Sequence, residues 1–228
     1  MNDYIIIAVL GAIVAIDTTT VGQFMISQPL VSSAAAGVLL GEPQSALFIG
    51  AVMQLMWLKL IPAGGAIYLN GNLGTLTAVG AFELTQADFP HSQDALLFTS
   101  VILGIIASYI FGYITVYHRR INTYFVALAQ KALQKRQLSL FQAAHISGAL
   151  SAGTGGALFL LIFVIISKYT IHNLPALYYV KGEPFFPFGL YALLGVGIGT
   201  VFSMVWIKKC WYYPFIGILC GIGILLTL

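Results

Sequence analysis

Charge is what this chain has least of. Among its 228 residues only 7% are Asp, Glu, Lys or Arg and 59% are of hydrophobic type, whereas a soluble domain of this size is about one quarter charged. Water is therefore excluded as its main solvent. Cysteine is nearly as scarce: Cys210 and Cys220 stand alone near or within apolar segments, without metal or redox spacing, and read as small buried hydrophobes. The four histidines, at 91, 118, 145 and 172, are too dispersed for metal-ligand spacing. Glycines cluster at 153–156, 195–199 and 217–221, but none of these groups is followed by the Lys-Ser/Thr that cradles a nucleotide phosphate. No nucleophile and base can be assembled from neighbouring positions, so no self-contained active site and no cofactor are expected. The start of the chain, Met1 to Tyr4, lacks the basic region of a secretory signal, so the first apolar segment is expected to be retained.

What is present is apolar sequence along the whole length. The pattern predicts an all-α, polytopic integral membrane protein, residues 1–228 forming a single membrane domain in a lipid bilayer. Tyr4 to about Thr20 reads as a first span with a polar far end at Asp17 and the threonines 18–20. Ala95 to Tyr117 is the cleanest span, with Gly104, Ser108 and Gly112 four residues apart on one face, where small residues let helices approach closely in lipid. Ala143 to Ile166, Phe185 to Trp206 and Tyr213 to Leu228 supply three more. The stretch Glu83 to Asp94, with three acids and no base, and Lys168 to Pro184 read as loops.

His118 to Gln137 carries Arg119, Arg120, Lys131, Lys135 and Arg136 and no acid. Phe125, Leu128 and Ala132 recur at helical spacing, as expected for a basic helix lying in the membrane interface. Lys208 and Lys209 form a second basic cluster, and the positive-inside rule places both clusters on the cytoplasmic side. Topology and anionic lipid account for the net charge of +3, so nucleic acid is not implied. The side occupied by Met1 stays open.

The run from Gly22 to Gly74 is broken at Pro29, at Glu42-Pro43 and at 62–65, and carries Gln23, Gln28, Gln54, Asn70 and Asn72. Leu30 to Gly41 is too short to cross a bilayer and Gln44 to Leu60 barely long enough, which predicts a re-entrant hairpin or broken helices turned at Gly41-Glu42-Pro43. Amides at membrane depth are costly unless they face protein, water or a polar solute. Two readings stay open for them: interhelical hydrogen bonds, or a pocket in which side-chain amides and freed backbone groups hold a hydroxyl-rich ligand. Gln54 lies beside Met53, Met56 and Trp57, and an amide next to an indole suits a sugar as well as a core. Asp17 is either a hydroxyl or proton site or a solvated span end. His145 reads as a packing or hydrogen-bonding residue rather than a phosphoryl carrier.

Four blocks in order, at 21–30, 36–44, 49–57 and 62–67, resemble the IIC subunit of the mannose/fructose/sorbose family of the bacterial phosphoenolpyruvate:sugar phosphotransferase system. A weaker echo runs from Ala144 to Gly148. The resemblance implies a multi-pass permease subunit of the bacterial cytoplasmic membrane. It would bind a sugar and work with a IID membrane subunit and cytoplasmic IIA and IIB, as part of an oligomeric complex in which IIB supplies the phosphoryl group. Carried over by position, it places Gln54 where members have Gln or Glu near the sugar, Asn70 where many have Asp after a proline, and Gln28 where many have Arg. The expected substrate-binding residues are thus Gln23, Gln54, Asn70, Asp17, Gln28 and Asn72, and three of these positions have lost charge. The rival expectations are a transport subunit of another system and a membrane scaffold or receptor in which the amides only join helices. The residues do not specify the sugar.

Overall fold

The computed structural model describes residues 2–59, 69–174, 185–205, 212 and 215–216. Its described residues form seven α-helices and one short 3-10 turn. The helices are α1 (Asp3–Thr19), α2 (Pro29–Leu40), α3 (Pro43–Trp57), α4 (Gly71–Glu83), α5 (Gln93–Gln134), α6 (Leu138–His172) and α7 (Phe185–Val205). There is no strand among the described residues.

Local chemistry accounts for the breaks. Gln28 is held extended by the proline that follows it, and Pro29 then opens α2 where its missing N–H has no intrahelical partner to lose. Gly41 closes α2 in the left-handed region at φ 118°, and Pro43 opens α3. The hairpin turned at Gly41-Glu42-Pro43 is therefore present. At 1.5 Å per residue α2, α3 and α4, with 12, 15 and 13 residues, span about 18, 22 and 20 Å, against a hydrocarbon core of about 30 Å. None crosses alone. α5, α6 and α7 are long and apolar enough to do so.

Small residues set the helix pairings. α1 runs antiparallel to α6: a Cβ at Gly11 would stand 2.9 Å from the Gly156 carbonyl oxygen, and one at Gly153 would stand 2.9 Å from Ile16. α4 and α5 cross backbone to backbone at Gly74 and Gly104, with Ser108 against the same glycine. α2 and α3 close at Gly37 against Ala46 and at Gly50 against Ser33. α7 lies on the outside of the bundle, with Gly189 on Phe98 and Gly197 on Leu55. The core is built from Val14, Ile49, Met53, Val79, Phe82, Leu96, Phe111, Leu160 and Val164, all buried. Ile5, Val9 and Ile13 of α1, Ile106, Ile110 and Tyr113 of α5, and Leu158, Ile162 and Ile166 of α6 are exposed, and such faces belong against lipid.

Two boundaries differ from the sequence reading. The basic stretch 118–137 does not begin a new helix. It continues α5, whose 42 residues run for about 63 Å. No Gly or Pro lies between Gly112 and Gln134, so the backbone ladder persists while the side chains change from apolar to basic. The chain turns back only at Lys135 to Gln137, with Arg136 at φ 52°. α6 likewise extends to His172 through the first residues of the expected 168–184 loop. The break at 62–65 and most of the span expected over 213–228 lie outside the described residues.

Candidate functional site

The far end of α1, the start of α2, the end of α3 and the start of α4 meet at one level of the bundle. Between them lies a cavity of about 390 Å³, and Asp17, Gln23, Gln28, Gln54, Asn70 and Asn72 all line it, together with Thr18, Ser27 and Trp57. Side chains separated by up to 55 positions are thus brought together.

Their hydrogen bonds divide them into two kinds. Asp17 is 5% exposed, and its two carboxylate oxygens accept from the backbone N–H of Phe24 at 2.7 Å and of Ser27 at 2.8 Å. The segment so gathered carries Gly22, Gln23 and Met25 at φ 84°, 50° and 65°. Two of these are not glycine, and such backbone persists where the surroundings over-determine it. Asp17 is therefore neither solvated nor a free span end; it ties the connection between α1 and α2. Asn70, also buried, caps α4: its oxygen accepts from Leu73 N–H at 3.2 Å and its amide donates to Thr115 Oγ1 at 3.1 Å. The backbone N–H of Asn70 donates to the Ser108 carbonyl at 3.0 Å, fastening the cap to α5.

The remaining amides have unused capacity. Gln54 Nε2 donates to Gln28 Oε1 at 3.1 Å, Gln54 Oε1 accepts from the Leu30 backbone N–H at 3.4 Å, and Asn72 Nδ2 donates to Thr18 Oγ1 at 3.2 Å, so the interhelical reading is present: each is a bond between elements. Among the described residues this leaves the Gln28 NH₂ group, the Asn72 oxygen and the exposed Gln23 amide without protein partners. Trp57 Nε1 is buried, also without a partner among the described residues, and the indole lies directly on Gly71, where a Cβ would collide with its ring. A buried N–H left unpaired costs about 1–3 kcal/mol, so the wall holds a donor that a ligand hydroxyl or a water would satisfy. The arrangement offers donors and acceptors on an indole face and no free charge. That is chemistry for an uncharged, hydroxyl-bearing solute.

Sequence reasoning missed Thr115, which steadies the Asn70 cap, and treated Thr18 only as part of a polar span end. A threonine four residues after Phe111 can satisfy its hydroxyl within its own helix, as Thr115 does at 2.8 Å, so nothing in the pattern marked it. Among the described residues no three His, Cys, Asp or Glu side chains converge as metal ligands would.

Against known families, residues 1–227 match the one described as the PTS system sorbose-specific IIC component. The chain belongs to that family. It is a sorbose-type IIC membrane component of the phosphotransferase system, and its short, broken amino-terminal helices are part of a transporter fold. No curated protein matches the chain. Two of the solved structures that resemble this IIC chain cover 99% of it. One, described as a membrane protein, has a TM-score of 0.70 at 16% identity with 92% of its length covered. The other is the mannose transporter ManYZ in complex with microcin E492 (MceA), with a TM-score of 0.56 at 15% identity and 91% covered. At such identities the likeness is one of fold.

Proposed function

We propose that this IIC chain holds one sugar in the cavity at the four helix ends and presents it for phosphorylation by a partner IIB. Gln23, Gln28, Gln54 and Asn72 offer their amides to the sugar hydroxyls, and Trp57 offers its ring and its N–H. Asp17 and Asn70 line the same cavity but act chiefly as positioning residues, since their polar atoms already hold backbone. The complex comprises a IID membrane subunit and cytoplasmic IIA and IIB, assembled as an oligomer in the bacterial cytoplasmic membrane. The basic end of α5 faces the cytoplasm and helps to receive IIB. This chain contributes no phosphoryl carrier of its own; His145 is exposed and is not part of the sugar cavity.

The observation that carries the reading is the buried, unpartnered indole N–H of Trp57 beside amides with spare hydrogen-bonding capacity. The test is phosphoenolpyruvate-dependent uptake, across a panel of sugars, by membranes containing the whole complex. Gln54→Ala, at equal expression, is expected to reduce uptake of the transported sugar by about tenfold or more, the loss of one or two hydrogen bonds from a dry site. Unchanged uptake would assign the Gln28–Gln54 bond to helix joining alone.

A further inference from the structure

A second cavity, of about 540 Å³, opens between α5 and α6 and shares Thr18 and Gln23 with the first. Its wall has a different chemistry. His118, Arg119, Asn122 and His145 line it, all from the two long helices. His118 Nε2 lies 3.0 Å from Ser151 Oγ, which orients the ring across the gap between α5 and α6. Asn122 Oδ1 is buried without a partner among the described residues, and its amide faces the open side of Gly148, 3.8 Å from where a Cβ would stand. No Asp or Glu occurs anywhere between Asp94 and Glu183, so α5 and α6 bring no carboxylate to this wall; the nearest acid on the remaining side is Asp17, next to the shared Thr18 and bonded to the Phe24 and Ser27 backbone. Topology asks only for basic residues on one side of the membrane, a demand the exposed Arg120, Lys131 and Lys135 already meet; it does not ask that a cavity be lined with them.

We infer that this second cavity is a subsite for the phosphoryl group of a sugar phosphate, held by Arg119 with His118 and His145. The inference rests on reading the adjoining cavity as a sugar site. Guanidinium and imidazole donors suit a phosphate, whose oxygens accept several charge-assisted hydrogen bonds, and the amide of Asn122, turned about its bond, adds another donor. The junction at Thr18 and Gln23 places this basic wall next to the amide-lined one, whose carboxylate, Asp17, is already held by two backbone N–H groups. A sugar that gains a phosphate would find its new charge met within the same connected space.

The full-length chain in nanodiscs of zwitterionic lipid is titrated calorimetrically with inorganic phosphate. Saturable binding is expected, weakened about tenfold by Arg119→Gln. His145→Gln is expected to weaken it as well, and because His145 is exposed this variant keeps the test readable should Arg119→Gln fold poorly. Lys168→Gln removes the same charge at the opposite end and should leave phosphate affinity unchanged. Gln54→Ala should retain phosphate binding while sugar binding falls, which separates failure of the sugar site from failure of this one. Absence of saturable binding, or equal affinity in all variants, overturns the inference. Displacement of phosphate by added phosphatidylglycerol but not by mannose 6-phosphate also overturns it, assigning the cavity to a lipid headgroup.

Discussion

Asp17 shows how one side chain can be read correctly as exceptional and still be given the wrong task. An acid among apolar residues announces either function or a solvated end. In the fold it is buried and accepts two backbone hydrogen bonds from a segment seven to ten residues further on. Hydrogen bonds to a charged group contribute about 1.5–3 kcal/mol each. Asp17→Ala is therefore expected to lower the thermal midpoint of the detergent-solubilised protein and to abolish uptake. Asp17→Asn, which keeps one acceptor, should be milder in both. Equal thermal midpoints for the wild type and Asp17→Ala would show that the carboxylate does not hold this turn. The amides teach the complementary lesson. Gln28 and Gln54 were recognisable as costly in lipid, but their direct bond could not be foreseen, because 26 positions separate them and only the α2–α3 hairpin brings them face to face.

Among the elements, glycine positions matter more than apolar content. Lipid tails are as apolar as the core, so helices associate through close packing and hydrogen bonds rather than through exclusion of water. The crossings of Gly11 with Gly156 and of Gly74 with Gly104 leave no room for a side chain, since a Cβ at Gly104 would lie 2.7 Å from the Gly74 carbonyl oxygen. Gly104→Val and Gly156→Val are expected to reduce the yield of monodisperse protein severely. Gly155→Val, at a position with no atom within contact distance, should be tolerated. Size-exclusion profiles after solubilisation check this, and matching profiles for all three would remove the packing argument. The small-residue spacing on α5 was legible beforehand, as was the hairpin break, because prolines and a left-handed glycine act locally. The length of α5 was not. Its side-chain pattern changes near His118 while its backbone continues, and a reading based on hydropathy follows the side chains.

For the molecule as a whole, the proposed orientation puts the basic end of α5 and α6 and the acid-bearing end at Asp88 on opposite sides of the bilayer, since α5 and α6 are each long and apolar enough to cross it. Asp88 itself bonds His172 at 3.0 Å, joining the loop before α5 to the end of α6. In a Cys210→Ser, Cys220→Ser background, Gln134→Cys should react with a membrane-impermeant maleimide only after cell lysis, and Asp94→Cys in intact cells. The reverse pattern would invert that orientation and overturn the proposal that the basic end of α5 receives IIB. Composition and short local patterns were enough for the apolar surroundings, the helical class, the breaks at Pro29 and Glu42-Pro43 and the family resemblance, because each of these is written into neighbouring residues. It took the packed fold to show that six scattered polar residues share one cavity, that two of them serve chiefly to hold backbone, and that a histidine- and arginine-lined space opens beside it. Those facts depend on which helix ends meet, and such meetings arise from packing between distant segments that no local pattern records.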